Sequence, residues 1–305
     1  MRLVFLGTPV FAVPTLESLV AAGYEVLSVV TQPDRPSGRG RHLAASPVKE
    51  AAQRLRLPVY QPERIRRPEA VEALAALRPD AIVVVGYGQI LPQAVIDIPR
   101  HGIINVHASL LPEYRGAAPV QWAIANGATL TGVTTMRIDA GLDTGDMLLK
   151  AETEIGPDET ALELSGRLAT LGAALLIETL EQIETLVPHR QNPAQATYAP
   201  LLKKEDGLID WRQPAQAIHN RVRGFQPWPG AYTRFRGHQL HIWKSRVTPG
   251  RAARPGLLTG RPLAIECGNG ALEPIEVQLE GRKRITAEEF ANGQHITGDD
   301  ILGES

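Results

Sequence analysis

Cysteine is nearly absent from this chain of 305 residues. Cys267 stands alone, which excludes an intramolecular disulfide and fits a reducing compartment; a small core residue is its ordinary reading, ahead of a nucleophile. Long uncharged apolar runs are lacking too. The most apolar stretch, LATLGAALLIETLEQIETLV (168–187), carries three glutamates and reads as an amphipathic helix, not a membrane span. Neither charge sign dominates. With a formal net charge of −1 at pH 7, a nucleic-acid partner has to be held by a local basic patch. Met1-Arg2 runs directly into LVFLGTP, too short for the apolar region of a secretion signal and well formed as a first strand, so a cytoplasmic location is expected.

Several catalytic signatures are missing. The first turn, FLGTPVF, lacks the second and third glycines of G-x-G-x-x-G, which weighs against a nucleotide-dependent oxidoreductase. The eight histidines show no H-E-x-x-H spacing and there is no C-x-x-C, so no metal site is expected. No G-x-S-x-G elbow, Walker sequence or internal repeat is present.

What is present is an alternation of strands and helices over the first 190 residues. Strands are predicted at 2–7, 25–31, 58–61, 81–88, 102–107, 131–139 and 146–154, and helices at 11–23, 46–57, 68–77, 117–127 and 158–186. Ser46 is the N-cap and Pro47 the first residue of the second helix; Gly23 closes the first. AIVVVGYG (81–88) is apolar on both faces, as a buried parallel strand should be. The expectation is an α/β domain over 1–189 with a mostly parallel sheet and helices on both faces. Three prolines and no periodicity mark PHRQNPAQATYAP (188–200) as linker, and residues 190–207 are read as the joining segment. Residues 208–305 form a smaller β-rich domain, expected as a barrel, with two strands around Gly237 and a helix at 214–223.

Ligands of such α/β sheets gather beyond the carboxyl ends of the strands. INVHASLLPEYRGAAP (104–119) falls there. Asn105 and His107, two apart on a strand, project to one side while Val106 faces the other. Both can donate hydrogen bonds, and histidine can move a proton near neutral pH. Taken alone, the pair is read first as satisfying nearby backbone groups. DAGLDTGD (139–146) follows a later strand. Its glycines let the backbone wrap closely, and Asp139 and Asp146 read as turn formers. Asp143, at the loop's centre, can orient an imidazole and stabilise its protonated form. TQPDRPSGRGRHLAASPVK (31–49) holds three arginines and a lysine on a loop, either a solvated surface or a mobile arm for phosphates. GYGQILP (86–92) lies past a buried strand and can line a slot for a flat ring.

The long stretch INVHASLLPEYRGAAP resembles the signature of the 10-formyltetrahydrofolate-dependent formyltransferases, and GLDTGDM resembles that family's second motif. Ala108 stands where members often carry glycine. The arginine-rich 31–49 loop and GFQPWPGAYT (224–233) are similar to the members that act on charged tRNA, and the likeness covers nearly the whole chain. The resemblance implies a Rossmann-like first domain, an OB-like C-terminal barrel that grips tRNA, and no membrane or obligate protein partner. It implies 10-formyltetrahydrofolate as co-substrate, no metal, and initiator methionyl-tRNA as acceptor. It implies a catalytic set of Asn105, His107 and Asp143. It further implies a folate site lined by Ser109, Leu110, Leu111 and Pro112, with Gly86, Tyr87, Gly88, Gln89, Ile90, Leu91 and Asp139 around the pterin. Candidate tRNA contacts are Arg35, Arg39 and Arg41 on the arm, and Lys203, Lys204, Arg221, Arg223, Arg234 and Arg236 beyond it. The rivals are a sister enzyme that hydrolyses formyltetrahydrofolate or formylates an amino-sugar nucleotide, and a catalytically silent RNA-binding module. The arginine arm argues against the first, and the intact trio against the second.

Overall fold

A computed structural model describes residues 1–37, 42–251, 254–297 and 300–303. Seven strands build the first sheet: β1 (Arg2–Gly7), β2 (Glu25–Val30), β3 (Val59–Tyr60), β4 (Ala81–Val85), β5 (Ile103–His107), β6 (Leu130–Arg137) and β7 (Met147–Glu154). Their order is β7-β6-β5-β4-β1-β2-β3. The pairs β1–β2, β1–β4, β2–β3 and β4–β5 are parallel, whereas β5–β6 is antiparallel. The order reverses between β1 and β4, so the crevice beyond their carboxyl ends is where such a sheet takes a ligand.

The longer helices are α1 (Val13–Ala21), α2 (Pro47–Arg54), α3 (Pro68–Ala76), α4 (Pro119–Ala125) and α5 (Ala161–Glu181), beside a single helical turn at Gln93–Ile96. Each of α1 to α4 begins with a proline in its first turn, where a missing N–H costs nothing. Ser46 caps α2 by accepting the N–H of Lys49 at 3.1 Å. All five residues of β4 are buried, as its unbroken apolar run requires. α5 comes close to the sheet at Gly172, where a Cβ would stand 2.7 Å from Val106. That contact covers the Val106 face of β5 and leaves the Asn105 and His107 face for other company. Among the described residues no helix is long and apolar enough to cross a membrane.

The chain forms two compact units. The first comprises Met1–Gly116, Thr131–Thr153 and Ser165–Tyr198; the second comprises Ala117–Leu130, Glu154–Leu164 and Ala199–Ser305. Helix α4 therefore belongs with the second unit. There Gly224 lets α6 (Ala215–Gly224) approach its backbone, and Trp122 meets Phe225 edge-on at 5.3 Å.

The second unit carries an antiparallel sheet of β8 (Ala231–Phe235), β9 (His238–Thr248), β10 (Leu258–Thr259), β11 (Ala264–Glu266), β12 (Ala271–Leu279) and β13 (Ile285–Thr286), with α6 and α7 (Ala287–Gly293). The path runs β8-β9-β12-β11-β10, with β13 on β12, and does not return to β8 among the described residues. The sheet packs on a core of Trp211, Ile218, Phe235, Leu240, Leu272 and Phe290, and this arrangement is compatible with the expected OB-like barrel although the described strands do not close it. β8 and β9 meet at the predicted turn, with Gly237 at φ 80°.

Candidate active site

β5 lies between β4 and β6, with Asn105 opposite Val84 on one side and Met136 on the other. His107, its last residue, stands opposite Thr134. Thr134 then turns the chain: its hydroxyl donates to the Ser109 carbonyl at 2.7 Å and accepts the Leu111 N–H at 3.1 Å. The Lys150 ammonium donates to the Leu111 carbonyl. Within the loop, Ser109 Oγ donates to the Glu113 carbonyl at 2.6 Å. The loop ends at Tyr114, whose φ of 56° aims its carbonyl oxygen back at His107 Nε2, 3.0 Å away. A carbonyl only accepts, so Nε2 carries the proton and Nδ1 is the nitrogen free to exchange one.

Nδ1 faces Asp143, with 3.7 Å between Nδ1 and Oδ2. At that distance the carboxylate is an adjacent charge and not a hydrogen-bond partner. The same Oδ2 accepts the N–H of Gly116 at 2.8 Å, which ties the carboxylate to the chain just after Tyr114. Asp143 sits in the left-handed region at φ 51°, and a Cβ at Gly145 would run into the carbonyl oxygen of Arg137. Asp139 closes the loop from inside, its carboxylate accepting from Gly141 N and Thr144 Oγ1 at 3.0 and 2.7 Å. Asn105 is 9% exposed, and its amide has no hydrogen-bond partner among the described residues. The three side chains named from the sequence thus come from one strand end and one loop of the first unit. Two are in contact, and the third is an uncommitted amide on the same strand face.

The residues expected around the folate divide into two groups. Ser109, Leu111, Tyr87 and Leu91 are buried and shape their loops from within. Tyr87 lies in the core with its hydroxyl unpartnered among the described residues, and burial pushes its pKa up to about 12. Leu110, Pro112, Gly86, Gly88, Gln89 and Ile90 are partly or fully exposed, Ile90 at 92%. The 86–91 loop is held at the β1 and β2 ends, where Thr8 Oγ1 and Gln32 Nε2 donate to the Tyr87 carbonyl at 3.1 and 3.0 Å.

The basic residues also divide. Arg35 is exposed at the start of a short ribbon, Arg35–Ser37 against His42–Ala44, within the stretch read as a loop. Arg39 and Arg41 lie outside the described residues. Lys203, Lys204 and Arg234 are exposed, and Arg221 is partly buried over the Phe225 ring. Arg236 is paired with Asp300 at 2.9 Å. Arg223 requires correction as a surface contact. It is 6% exposed, with its guanidinium bonded to Asn220 Oδ1 and to the carbonyls of Gly156 and Glu159, so it braces the second unit from inside.

Sequence reasoning missed the supports of the site. Gln191, in the stretch read as linker, is 4% exposed. Its Oε1 accepts from Arg115 Nε and Nη2 at 3.0 and 2.7 Å, and its Nε2 donates to the carbonyls of Asp143 and Gly145, both at 2.8 Å. Proline-rich composition gave no signal of a buried amide there, and the Tyr114 carbonyl is a backbone group that no residue pattern marks.

Comparison with known proteins identifies the family. The family model described as Formyl transferase matches residues 1–180, and that described as Formyl transferase, C-terminal domain, matches residues 201–295. The chain is 68% identical over 308 residues to the methionyl-tRNA formyltransferase of Solibacter usitatus (strain Ellin6076), covering 100% of this chain and 99% of that protein. It is 58% identical over 309 residues to the methionyl-tRNA formyltransferase of Koribacter versatilis (strain Ellin345), covering 99% of each. Among solved structures, the N-formyltransferase of Helicobacter canadensis, in complex with folinic acid and dTDP-3-aminofucose, superposes with a TM-score of 0.67 at 18% identity. That match covers 93% of this chain and 100% of the other and speaks to the fold alone. By both its motifs and its full-length likeness to these relatives, the chain belongs to the formyl transferase family.

Proposed function

We propose that the chain transfers the formyl group of 10-formyltetrahydrofolate to the α-amino group of methionyl-initiator tRNA. The observation that carries the reading is the His107–Asp143 pair beside an uncommitted Asn105 amide, in a chain 68% identical from end to end to a methionyl-tRNA formyltransferase. The folate supplies an activated formyl carbonyl. The residues present suit such a group: a free amide donor, an imidazole with one exchangeable nitrogen, and neighbouring loops with exposed backbone and the exposed apolar side chains Ile90 and Leu142.

Asn105 and protonated His107 donate to the formyl oxygen, where negative charge grows as the amine adds. The Tyr114 carbonyl fixes the imidazole through Nε2, so Nδ1 is the donor that faces the reaction. Asp143 stabilises the charged ring across 3.7 Å and, directly or through a water, helps carry the amine's proton to the departing nitrogen. Holding both substrates in register supplies much of the remaining acceleration. In the division of labour that fits this reading, residues 1–189 do the chemistry, 190–207 join, and 208–305 hold tRNA, with Arg35, Lys203, Lys204 and Arg234 as exposed cations for phosphate.

The test is direct. The protein is mixed with 10-formyltetrahydrofolate and charged initiator tRNA, and formyl-methionyl-tRNA is measured against reactions with water alone or an amino-sugar nucleotide. Product with tRNA only is expected. Formyl transfer to the sugar nucleotide, or release to water at the same rate, would replace this reading with the sister activity.

A further inference from the structure

We propose that Gln191 is a positioning residue for formyl transfer, holding the Asp143 carboxylate against His107 through both ends of one amide. The claim rests on the reaction proposed above and adds to it a residue outside the 1–180 stretch that the catalytic family model matches. A primary amide has two donor hydrogens and two acceptor lone pairs. Gln191 uses all four: Oε1 takes two N–H groups from Arg115, and Nε2 gives one hydrogen to Asp143 O and one to Gly145 O. Those two carbonyls belong to the 143–144 and 145–146 peptides, so the amide fixes the peptide plane that leaves Asp143 and the one that leaves Gly145.

Asp143 needs this support. It is a non-glycine residue in the left-handed region, which surrounding structure must enforce. Its carboxylate is held separately by Gly116 N, the residue next to Arg115. Arg115-Gly116 therefore reaches Asp143 twice, once at the carboxylate and once at the backbone by way of Gln191. With both in place, Oδ2 stands 3.7 Å from Nδ1.

The segment carrying Gln191 is anchored on either side of it. His189 and Met147 exchange backbone hydrogen bonds at 2.8 and 2.9 Å. Thr197 accepts the Tyr114 N–H on its hydroxyl at 2.8 Å and the Arg115 N–H on its carbonyl at 2.9 Å. Tyr114 is the residue whose carbonyl orients His107. Residues 189–197 thus brace both members of the histidine–aspartate pair. Supports one step removed from a reacting group commonly change activity 10- to 100-fold when lost, in the well-studied case of metal ligands, and small misplacements of reacting groups carry costs of similar size.

The experiment is a double-mutant cycle. Gln191→Glu keeps an acceptor for Arg115 but turns an oxygen toward the two carbonyls, so the loop loses both donors while the arginine stays paired. It is expected to lower kcat about 10- to 100-fold, with KM for both substrates within about twofold of wild type. In an Asp143→Asn background the same change should cost less than about twofold more, because the effect passes through Asp143. Gln191→Asn, which keeps the amide but shortens it, should lose less than Gln191→Glu. A near-wild-type kcat for Gln191→Glu, an equal loss in both backgrounds, or a loss confined to KM would overturn the proposal. If Gln191→Glu does not fold, Gln191→Asn is run through the same cycle under the same criteria. Should the wild-type protein fail to transfer formyl groups, the reaction reading falls on its own. The bracing is then read from the crystal structure of Gln191→Glu: an unchanged separation of Asp143 from His107 would refute it, and a displaced Asp143 loop would support it.

Discussion

Asn105→Ala separates chemistry from folding more cleanly than any other change in the site. The amide makes no hydrogen bond among the described residues, so its removal breaks none. The substitution would forfeit packing for a few atoms at a position that is 9% exposed. The amide's polar atoms are not among the fully buried side-chain atoms left without a partner, so they keep some access to water and the substitution leaves no group unpaired. Only that small packing loss remains, and stability should stay within about 1 kcal/mol of wild type, or about 2–4 °C in Tm for a unit of this size. Catalysis should behave differently. Loss of one donor to a developing oxyanion typically lowers kcat by about 100- to 1000-fold, equivalent to about 2.7–4 kcal/mol. The assay is the initial rate of formyl-methionyl-tRNA formation over a range of both substrates, beside calorimetric melting of the same preparation. A kcat within fivefold of wild type, as an order-of-magnitude bound, would refute the donor role. A fall of more than about 10 °C in Tm would show that the amide is structurally committed.

Three further outcomes are expected. Cys267 is buried, and burial pushes its thiol pKa up to about 12, so alkylation of the native protein at pH 8 should be limited by unfolding; prompt stoichiometric labelling would contradict this. Arg223→Ala should destabilise the second unit by about 2–4 kcal/mol in denaturant titrations, through the carbonyls and the Asn220 oxygen it leaves unpaired. Unchanged stability with a raised KM for tRNA would restore it as a surface contact. His219 lies 3.4 Å from Asp158, yet its pKa is lowered from the usual 6.5, first by burial; the aspartate is 81% exposed and too well solvated to reverse that. The unfolded chain then binds more protons than the folded one as pH falls through and below about 6.5, and stability is lost there. His219→Gln should flatten the stability profile between about pH 5 and 6.5; an unaltered slope would count against it.

The site was legible where a period or a turn type dictates placement. Alternation along β5 puts Asn105 and His107 on one side and sends Val106 to meet Gly172, and those few residues set which face carries the candidate site. The glycines of 139–146 announced a tightly wrapped loop, and the Gly145 and Asp139 contacts explain why. Gln191 and Arg115 were not legible, because a polar residue becomes buried only through partners distant in sequence, here 76 residues apart. The antiparallel return of β6 was equally hidden, since a strand's pattern records which faces are covered and not which way its neighbour runs. The apolar residues of α4 showed that the helix needs a cover but not that α6 provides it.

The interleaving of the two units in sequence bears on how the chain emerges during synthesis. Trp122 leaves the ribosome about a hundred residues before Phe225, the ring it packs against. At about 5–20 residues per second, that is an interval of roughly 5–20 s in which the nascent Trp122 ring lacks the ring it packs against. The amino-terminal half therefore cannot mature as a self-contained product of early translation. Any fragment cut near residue 190 would carry α4 without Phe225 and the rest of the second unit from Ala199 onward.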